Sequence, residues 1–158
     1  MVQGFYEGLA QAREAELLVA EVFSSLTKDY QFENVGDVRE YFYKGDIKAT
    51  AADGREIFIE VKDDSVIHKT HNVLCEEEVY YKDTDYYGKG NMFSEYNIYT
   101  VVSKAERKIY VIDFEVLKSI YHKGEYKIIE HPAQITYCYL LDLCKVKQFG
   151  GLIAMLDY

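Results

Sequence analysis

The stretch that most constrains this chain is residues 44–64, which read KGDIKATAADGREIFIEVKDD. Asp53 and Gly54 stand between two short segments rich in β-branched and apolar residues. These two residues take the positive φ angles of a tight turn more readily than most others. We therefore predict two strands, over residues 47–51 and 56–61, that pair as an antiparallel hairpin.

The predicted return strand carries two charged residues on one face. Side chains alternate along a strand, so Glu60 and Lys62 share a face while the apolar residues between them point the other way. Asp46 directly precedes the first strand. The hairpin then brings Asp46, Glu60 and Lys62 to one end of a sheet, where two carboxylates and an ammonium group would suit a magnesium-dependent phosphodiester site.

The length and composition are those of one globular domain. A chain of 158 residues with 49% hydrophobic and 28% charged residues can bury a core and is not disordered in composition. Helical and strand periodicities alternate without internal repeats or a linker. We predict a single α/β domain over residues 1–158.

The clearest predicted helix covers residues 7–27. Its apolar stripe includes one carboxylate, Glu16, in line with residues that should face the core. The members of this stripe are Leu9, Ala12, Glu16, Val19, Ala20 and Phe23. Glu16 either contributes to a site or simply reaches water.

The rest of the chain predicts further strands, helices and one long loop. We expect strands over 31–35 and 126–130, and a hairpin of 96–102 with 108–112. We expect helices over 72–82 and over 114–121, the second capped by Asp113, with an exposed loop over 83–91. The segment 134–156 is predicted to be sheet, broken at Gly150 and Gly151.

The net charge and the cysteines limit the classes of function. A charge of −9 argues against a simple nucleic-acid binder, because Lys and Arg supply most non-specific affinity for phosphates. It does not exclude a nuclease, whose bound metal ions add positive charge. The three Cys residues form no C-x-x-C pair, which favours reduced thiols over disulfides or a zinc site. We find no signal peptide or membrane-spanning run, and expect a cytoplasmic protein that makes no contact with membranes.

The order of these features resembles the PD-(D/E)XK nuclease superfamily, which has the restriction-endonuclease-like fold. Gly45 and Asp46 stand where that family has its Pro-Asp or Gly-Asp pair, and Glu60-Val61-Lys62 stands where it has its acidic-x-Lys motif. Glu16 looks like the helix Glu of the Holliday-junction resolvase branch, and the match covers roughly residues 8–82. The resemblance implies a central mixed β-sheet flanked by helices, and a Mg²⁺-dependent DNA endonuclease that works as a homodimer or with a protein partner.

Metal chemistry gives the same residues their roles. Mg²⁺ prefers oxygen ligands and keeps several waters, so two or three carboxylates and one backbone carbonyl suffice. We expect Asp46 and Glu60 to be the primary ligands, with the Val61 carbonyl as a third and Glu16 bound directly or through water. Mn²⁺ would substitute. Lys62 would orient the attacking water or stabilise charge in the transition state.

Several alternatives remain open at this stage. Glu60 and Lys62 could be an exposed surface ion pair without function, and Asp46 an ordinary turn residue. Gly36 and Asp37 form a competing Gly-Asp pair, and His68 and His71 could add a ligand or a base. The whole chain could also be a non-catalytic scaffold or interaction protein that keeps the fold, or a small binding protein.

Lysines and tyrosines around the predicted long loop offer a further possibility. Side chains of these two types can stack on bases and bind phosphates, as single-stranded nucleic acids require. The residues are Lys69, Lys82, Lys89, Tyr80, Tyr81, Tyr86 and Tyr87. Tyr is frequent throughout the chain, so this pattern is not decisive.

Overall fold

The structure, a computed structural model, describes residues 2–158, with side chains described from residue 7 onward. Its helices and strands follow in the order α1 Val2–Leu26, β1 Tyr30–Asn34, β2 Ile47–Ala51, β3 Glu56–Asp63, α2 Ile67–Thr70, β4 Asn72–Tyr81, β5 Tyr86–Lys89, β6 Ile98–Ser103, β7 Lys108–Asp113, α3 Phe114–Ile120, β8 Glu125–Glu130, β9 Gln134–Asp142, α4 Leu143–Gln148 and β10 Leu152–Asp157. Short 3₁₀ turns lie at Arg39–Tyr41, Asn91–Phe93 and Tyr121–Lys123. The prediction of an α/β fold is confirmed.

Two sheets form the framework. The larger sheet has six strands in the order β1-β2-β3-β6-β7-β10, and it is mixed because β3 and β6 run parallel while the other neighbours are antiparallel. The smaller sheet is antiparallel, in the order β5-β4-β9-β8. The predicted hairpin is confirmed as β2 and β3, with Ile47 opposite Ile59. Of the two turn residues expected to have positive φ angles, only Gly54 does.

Two hydrophobic cores cover the two faces of the six-stranded sheet. On one face α1 packs through Ala15 and Val19 against Ile59 and neighbouring residues of the sheet. On the other face, residues of the smaller sheet and of α3 and α4 pack around Tyr99 and Phe114. The central sheet is thus flanked by one long helix on one side, and by a second sheet with short helices on the other.

The predicted apolar stripe of α1 is wrong in its first half. Val19 is fully buried, but Leu9 is 46% exposed and Ala12 is also exposed. Among the side chains described from residue 7 onward, burial in α1 begins at Ala15, so Leu9 and Ala12 have no core to face. None of the helices in residues 2–158 combines the length and the apolar character needed to cross a membrane.

Three other predicted elements differ from the structure. Residues 72–82 form β4 rather than a helix, because this segment pairs along its whole length with β9, and a bulge at Glu77 accommodates the acidic run. The predicted loop 83–91 contains β5, which pairs with β4. The predicted sheet over 134–156 is interrupted by α4, whose first turn is capped by Asp142 through a 2.6 Å hydrogen bond from the Cys144 N–H.

The pairing of β2 with β3 depends on Gly45. This residue has φ of +134°, and a Cβ atom there would lie 2.8 Å from the backbone oxygen of Ile59. We expect Gly45→Ala to lower the free energy of unfolding by about 2–4 kcal/mol, measured by urea denaturation. Gly54→Ala is the matched control: its φ of +86° is also unfavourable for Ala, but no atom lies within 4 Å of the added carbon. A loss in Gly45→Ala no larger than in the control would show that the close approach is unimportant.

Candidate functional site

The site begins where β2 and β3 separate. The Asp46 N–H donates to the Ile59 carbonyl at 2.9 Å, and the Asp46 carboxylate oxygen Oδ2 accepts the Val61 N–H at 2.9 Å. The side chain of Asp46 thus accepts the hydrogen bond that the next backbone carbonyl of β2 would otherwise accept from β3. The N–H and C=O of one strand residue point to the same side, so the Val61 carbonyl lies on the edge of β3 that faces Asp46.

Glu60 and Lys62 lie next to each other on the opposite face of β3 from the α1 core. The Lys62 Nζ atom is 2.9 Å from Glu60 Oε1, and their side chains are 38% and 9% exposed, respectively. The Thr100 hydroxyl on β6 donates to the Glu60 carbonyl at 2.8 Å and fixes this part of the strand. The burial of Glu60 excludes an exposed surface ion pair, one of the alternatives that the sequence left open.

Glu16 reaches the same region from α1. Its Oε2 atom accepts a 2.7 Å hydrogen bond from Asn34 Nδ2, and the Asn34 Oδ1 atom accepts the Gly36 N–H at 3.0 Å. A Cβ atom on Gly36 would lie 3.3 Å from Asp46 Oδ1 and 3.5 Å from Glu16 Oε2. The missing side chain of Gly36 therefore leaves a space that both carboxylates border.

Asp37, in the competing Gly-Asp pair, has a different role. Its carboxylate forms a 2.6 Å ion pair with Arg13, and both side chains are largely exposed. Asn34 and Gly36, which sequence reasoning missed, contact the site instead. The Gly-Asp pattern at 36 and 37 was a usable signal, but the Gly rather than the Asp is the residue beside the carboxylates.

The carboxylates of the site affect one another. Burial raises the pKa of Asp46 to about 8, with a further contribution from the charge of Glu60, against the hydrogen bond from Val61. Burial also raises the pKa of Glu16, against the hydrogen bond from Asn34 and with contributions from the charges of Asp37 and then Glu60. At neutral pH Asp46 therefore holds a proton that a cation can displace.

Lys62 is held in its charged form. Burial alone would lower its pKa, but the Glu60 carboxylate raises it well above its ordinary value, with contributions from other neighbours that include Tyr99 and Glu76. A lysine that stays protonated cannot accept a proton from water. The structure thus favours an electrostatic role for Lys62 over that of a general base.

The donors at this site suit a hard divalent cation. Asp46, Glu60 and the Val61 carbonyl offer only oxygen atoms, which Mg²⁺ and Mn²⁺ prefer. Among residues 7–158, no three His, Cys, Asp or Glu side chains already stand close enough together to hold one ion. An ion at this position would thus be bound by the carboxylates of Asp46 and Glu60, the Val61 carbonyl and water. Glu16 would have to exchange its hydrogen bond with Asn34 for a contact with the ion or its water.

The two histidines of the HKTH segment do not join these residues. His68 lies within α2, while His71 ends that helix in the left-handed conformation, with φ of 54°. The His71 carbonyl accepts the Leu143 N–H at 2.8 Å, which places the end of α2 beside the start of α4. In the described part of the chain, neither histidine forms a hydrogen bond or ion pair with Asp46, Glu60 or Glu16.

Tyr96 is a further residue near the site that the sequence did not single out. Its side chain is almost fully buried, and its pKa is raised by burial first and then by the charge of Glu60. Tyr96 thus lies near the carboxylates, directly before β6.

No protein-family model, curated protein or solved structure matches the chain. The interpretation of the site accordingly depends on the geometry and chemistry of its own residues.

Filling the space beside Gly36 offers a test of the site that removes no ligand. We expect Gly36→Ala to weaken Mg²⁺ binding about 10-fold or more, because its methyl group would crowd Asp46 Oδ1 at 3.3 Å and fill the space beside Glu16. Stability should change by less than about 1 kcal/mol, since Gly36 does not need a positive φ. Titration calorimetry measures the first quantity and urea denaturation the second. Gly8→Ala, where the added carbon meets open space, is the control; equal affinities in the two variants would contradict the prediction.

Proposed function

We propose that this protein is a metal-dependent DNA endonuclease that hydrolyses phosphodiester bonds. The observation that carries the proposal is the arrangement at the point where β2 leaves β3. There the partly buried Asp46 carboxyl accepts the Val61 N–H, and the buried Glu60 carboxylate pairs with Lys62. The same residues carry the resemblance to the PD-(D/E)XK nuclease superfamily.

Each residue has a distinct part in the proposed reaction. Asp46, Glu60 and the Val61 carbonyl would hold Mg²⁺, or Mn²⁺ in its place, and Glu16 would complete the set directly or through water. When bound, the ion lowers the pKa of a coordinated water and neutralises charge on the phosphate. Lys62, which stays protonated, would stabilise the negative charge that develops on the phosphate oxygens.

The proposal extends to the setting of the reaction. A protein with a net charge of −9 holds DNA weakly through phosphate contacts alone. We therefore propose that it acts in the cytoplasm as a homodimer or with a protein partner that adds contacts to the DNA. The alternative supported by the same charge is a non-catalytic scaffold of this fold.

The test compares the two Gly-Asp pairs of the chain. Wild type, Asp46→Asn and Asp37→Asn are incubated with single-stranded, duplex and branched DNA in Mg²⁺, Mn²⁺ or EDTA. We expect cleavage by wild type and Asp37→Asn in either metal, none in EDTA, and none by Asp46→Asn. Absence of cleavage on every substrate would favour the scaffold, and cleavage that survives in Asp46→Asn would remove this site from the reaction.

A further inference from the structure

A groove of about 780 Å³, lined in part by Tyr43 and Lys44 just before Asp46 in the chain, presents aromatic rings to solvent. Its exposed rings, between 43% and 75% accessible, are Tyr43, Tyr81, Tyr86, Tyr87 and Phe93. They come from three separate parts of the chain: the segment before β2, the β4–β5 hairpin and the turn before β6. We refer to these five residues as the aromatic groove. Such a concentration of exposed rings is typical of a binding surface.

The groove is continuous with the candidate site along the chain. Tyr43 is three residues before Asp46, and its carbonyl accepts the Glu95 N–H at 2.8 Å, which ties the two walls together. Lys44, between Tyr43 and the site, also lines the groove. Phe93 stands three residues before Tyr96, whose pKa is raised by burial first and then by the charge of Glu60. The wall of the groove formed by Tyr43 and Lys44 is thus joined to Asp46 through Gly45.

The charges of the groove favour stacking over phosphate neutralisation. Two lysines, Lys44 and Lys89, are balanced by Glu40 and Glu95. Lys89 lies 5.9 Å from the centre of the Phe93 ring, so a cation accompanies at least one of the rings. A duplex buries its bases and offers a protein mainly phosphates, for which this groove has few cations. An unpaired strand offers base faces, each of which can stack on an aromatic ring.

From these observations we infer that the aromatic groove binds an unpaired nucleic-acid strand through base stacking. Its further role, delivery of that strand to the phosphodiester site at Asp46, rests on the proposed nuclease function. The substrate class would then be single-stranded nucleic acid, or a duplex with an unpaired end or flap.

The experiment measures binding apart from cleavage. Fluorescence anisotropy with labelled oligo-dT, oligo-U and a duplex of equal length is recorded in EDTA on the Asp46→Asn protein. Tyr43→Ala, Tyr86→Ala and Phe93→Ala are added to it singly, and all three side chains are more than half exposed, so the fold should survive. Tyr126→Ala on β8 is the matched control, since Tyr126 is 48% exposed but lies outside the groove.

We expect single strands to bind more tightly than the duplex, and each groove variant to weaken that binding by about 5- to 150-fold. Tyr126→Ala should leave it unchanged. With only two lysines in the groove, the slope of log K against log salt should be shallower than about −2. A difference between oligo-dT and oligo-U identifies the preferred sugar.

Three results would overturn the inference: no binding of either single strand, tighter binding of the duplex, or equal affinities of the groove variants and the control. Any of these would leave the groove as a surface for a protein partner. If wild type cleaves nothing but the groove variants lose binding, the nuclease proposal fails and the groove assignment stands. If wild type cleaves and the groove variants bind normally, only the groove assignment fails.

Discussion

Lys62→Met is expected to lower the rate of metal-dependent cleavage by about 10²- to 10³-fold, the usual loss when one preorganised charge is removed from an active site. Lys62 stays protonated beside Glu60, with its Nζ atom 2.9 Å from Glu60 Oε1. Removing it leaves no ammonium group to stabilise charge on the phosphate. Single-turnover cleavage rates at saturating Mn²⁺ measure the effect.

A matched variant separates this loss from general damage. Lys104 also pairs with a carboxylate of β3, Asp63, at 2.9 Å, and its side chain is 40% exposed against 38% for Lys62. Lys104→Met should therefore keep near wild-type cleavage. Calorimetry should show that Lys62→Met still binds Mn²⁺, because the metal can replace the lysine as the partner of Glu60. Equal losses in the two variants, or full activity in Lys62→Met, would contradict a role for Lys62 in the reaction.

Asp46→Asn should make the metal-free protein more stable above pH 8. Burial raises the pKa of Asp46 in the folded protein to about 8, from an ordinary value of 3.8. The folded state therefore holds a proton between these two pH values that the unfolded state has lost. Stability falls as pH rises through this window, and above pH 8 the folded protein carries the full penalty of a buried, ionised carboxylate.

The size of the gain in stability follows from the thermodynamic linkage between proton binding and folding. Each unit by which the pKa of Asp46 is raised would lower the free energy of unfolding at high pH by about 1.4 kcal/mol. Asp46 is partly exposed, however, and the solvent weakens this penalty. We expect Asp46→Asn to raise the free energy of unfolding at pH 9 in EDTA by about 2 kcal/mol, and to change it little at pH 4. The Asn carbonyl keeps an acceptor for the Val61 N–H, so the backbone contact survives. Urea denaturation at pH 4, 7 and 9 measures the difference.

Magnesium provides the complementary control for Asp46. A cation that binds the ionised carboxylate should remove the penalty, so Mg²⁺ should stabilise wild type at pH 9 but not Asp46→Asn. It should release a proton on binding at pH 7, where Asp46 is still protonated. If the two proteins show the same dependence of stability on pH and on Mg²⁺, Asp46 is neither the titrating group nor a ligand.

Local signals in the sequence were sufficient for the elements that carry the site. The Asp53-Gly54 turn fixes the β2–β3 hairpin, and the helical stripe around Val19 fixes the second half of α1. Asp113 caps α3 as predicted, through a 3.2 Å hydrogen bond from the Val116 N–H. In each case, residues within a few positions of each other decide the structure.

The second sheet could not be predicted in the same way. β4 contains an acidic run that is compatible with a helix, and it becomes a strand because β9, more than 50 residues later, pairs with it. For the same reason the sequence pointed to Asp46, Glu60 and Lys62 but missed Asn34, Gly36 and Tyr96. These three approach the site from loops and strand ends, and their proximity follows from the tertiary fold rather than from spacing.

The position of a bound cation tests the central claim most directly. Anomalous diffraction from a crystal of the protein grown with Mn²⁺ at pH 8.5, where Asp46 is mostly ionised, locates the ion. We expect one peak at about 2.0–2.6 Å from oxygen atoms of Asp46, Glu60 and the Val61 carbonyl. A crystal that binds Mn²⁺ elsewhere, or that shows Glu60 paired with Lys62 and no ion beside Asp46, would contradict a metal-dependent site at this position.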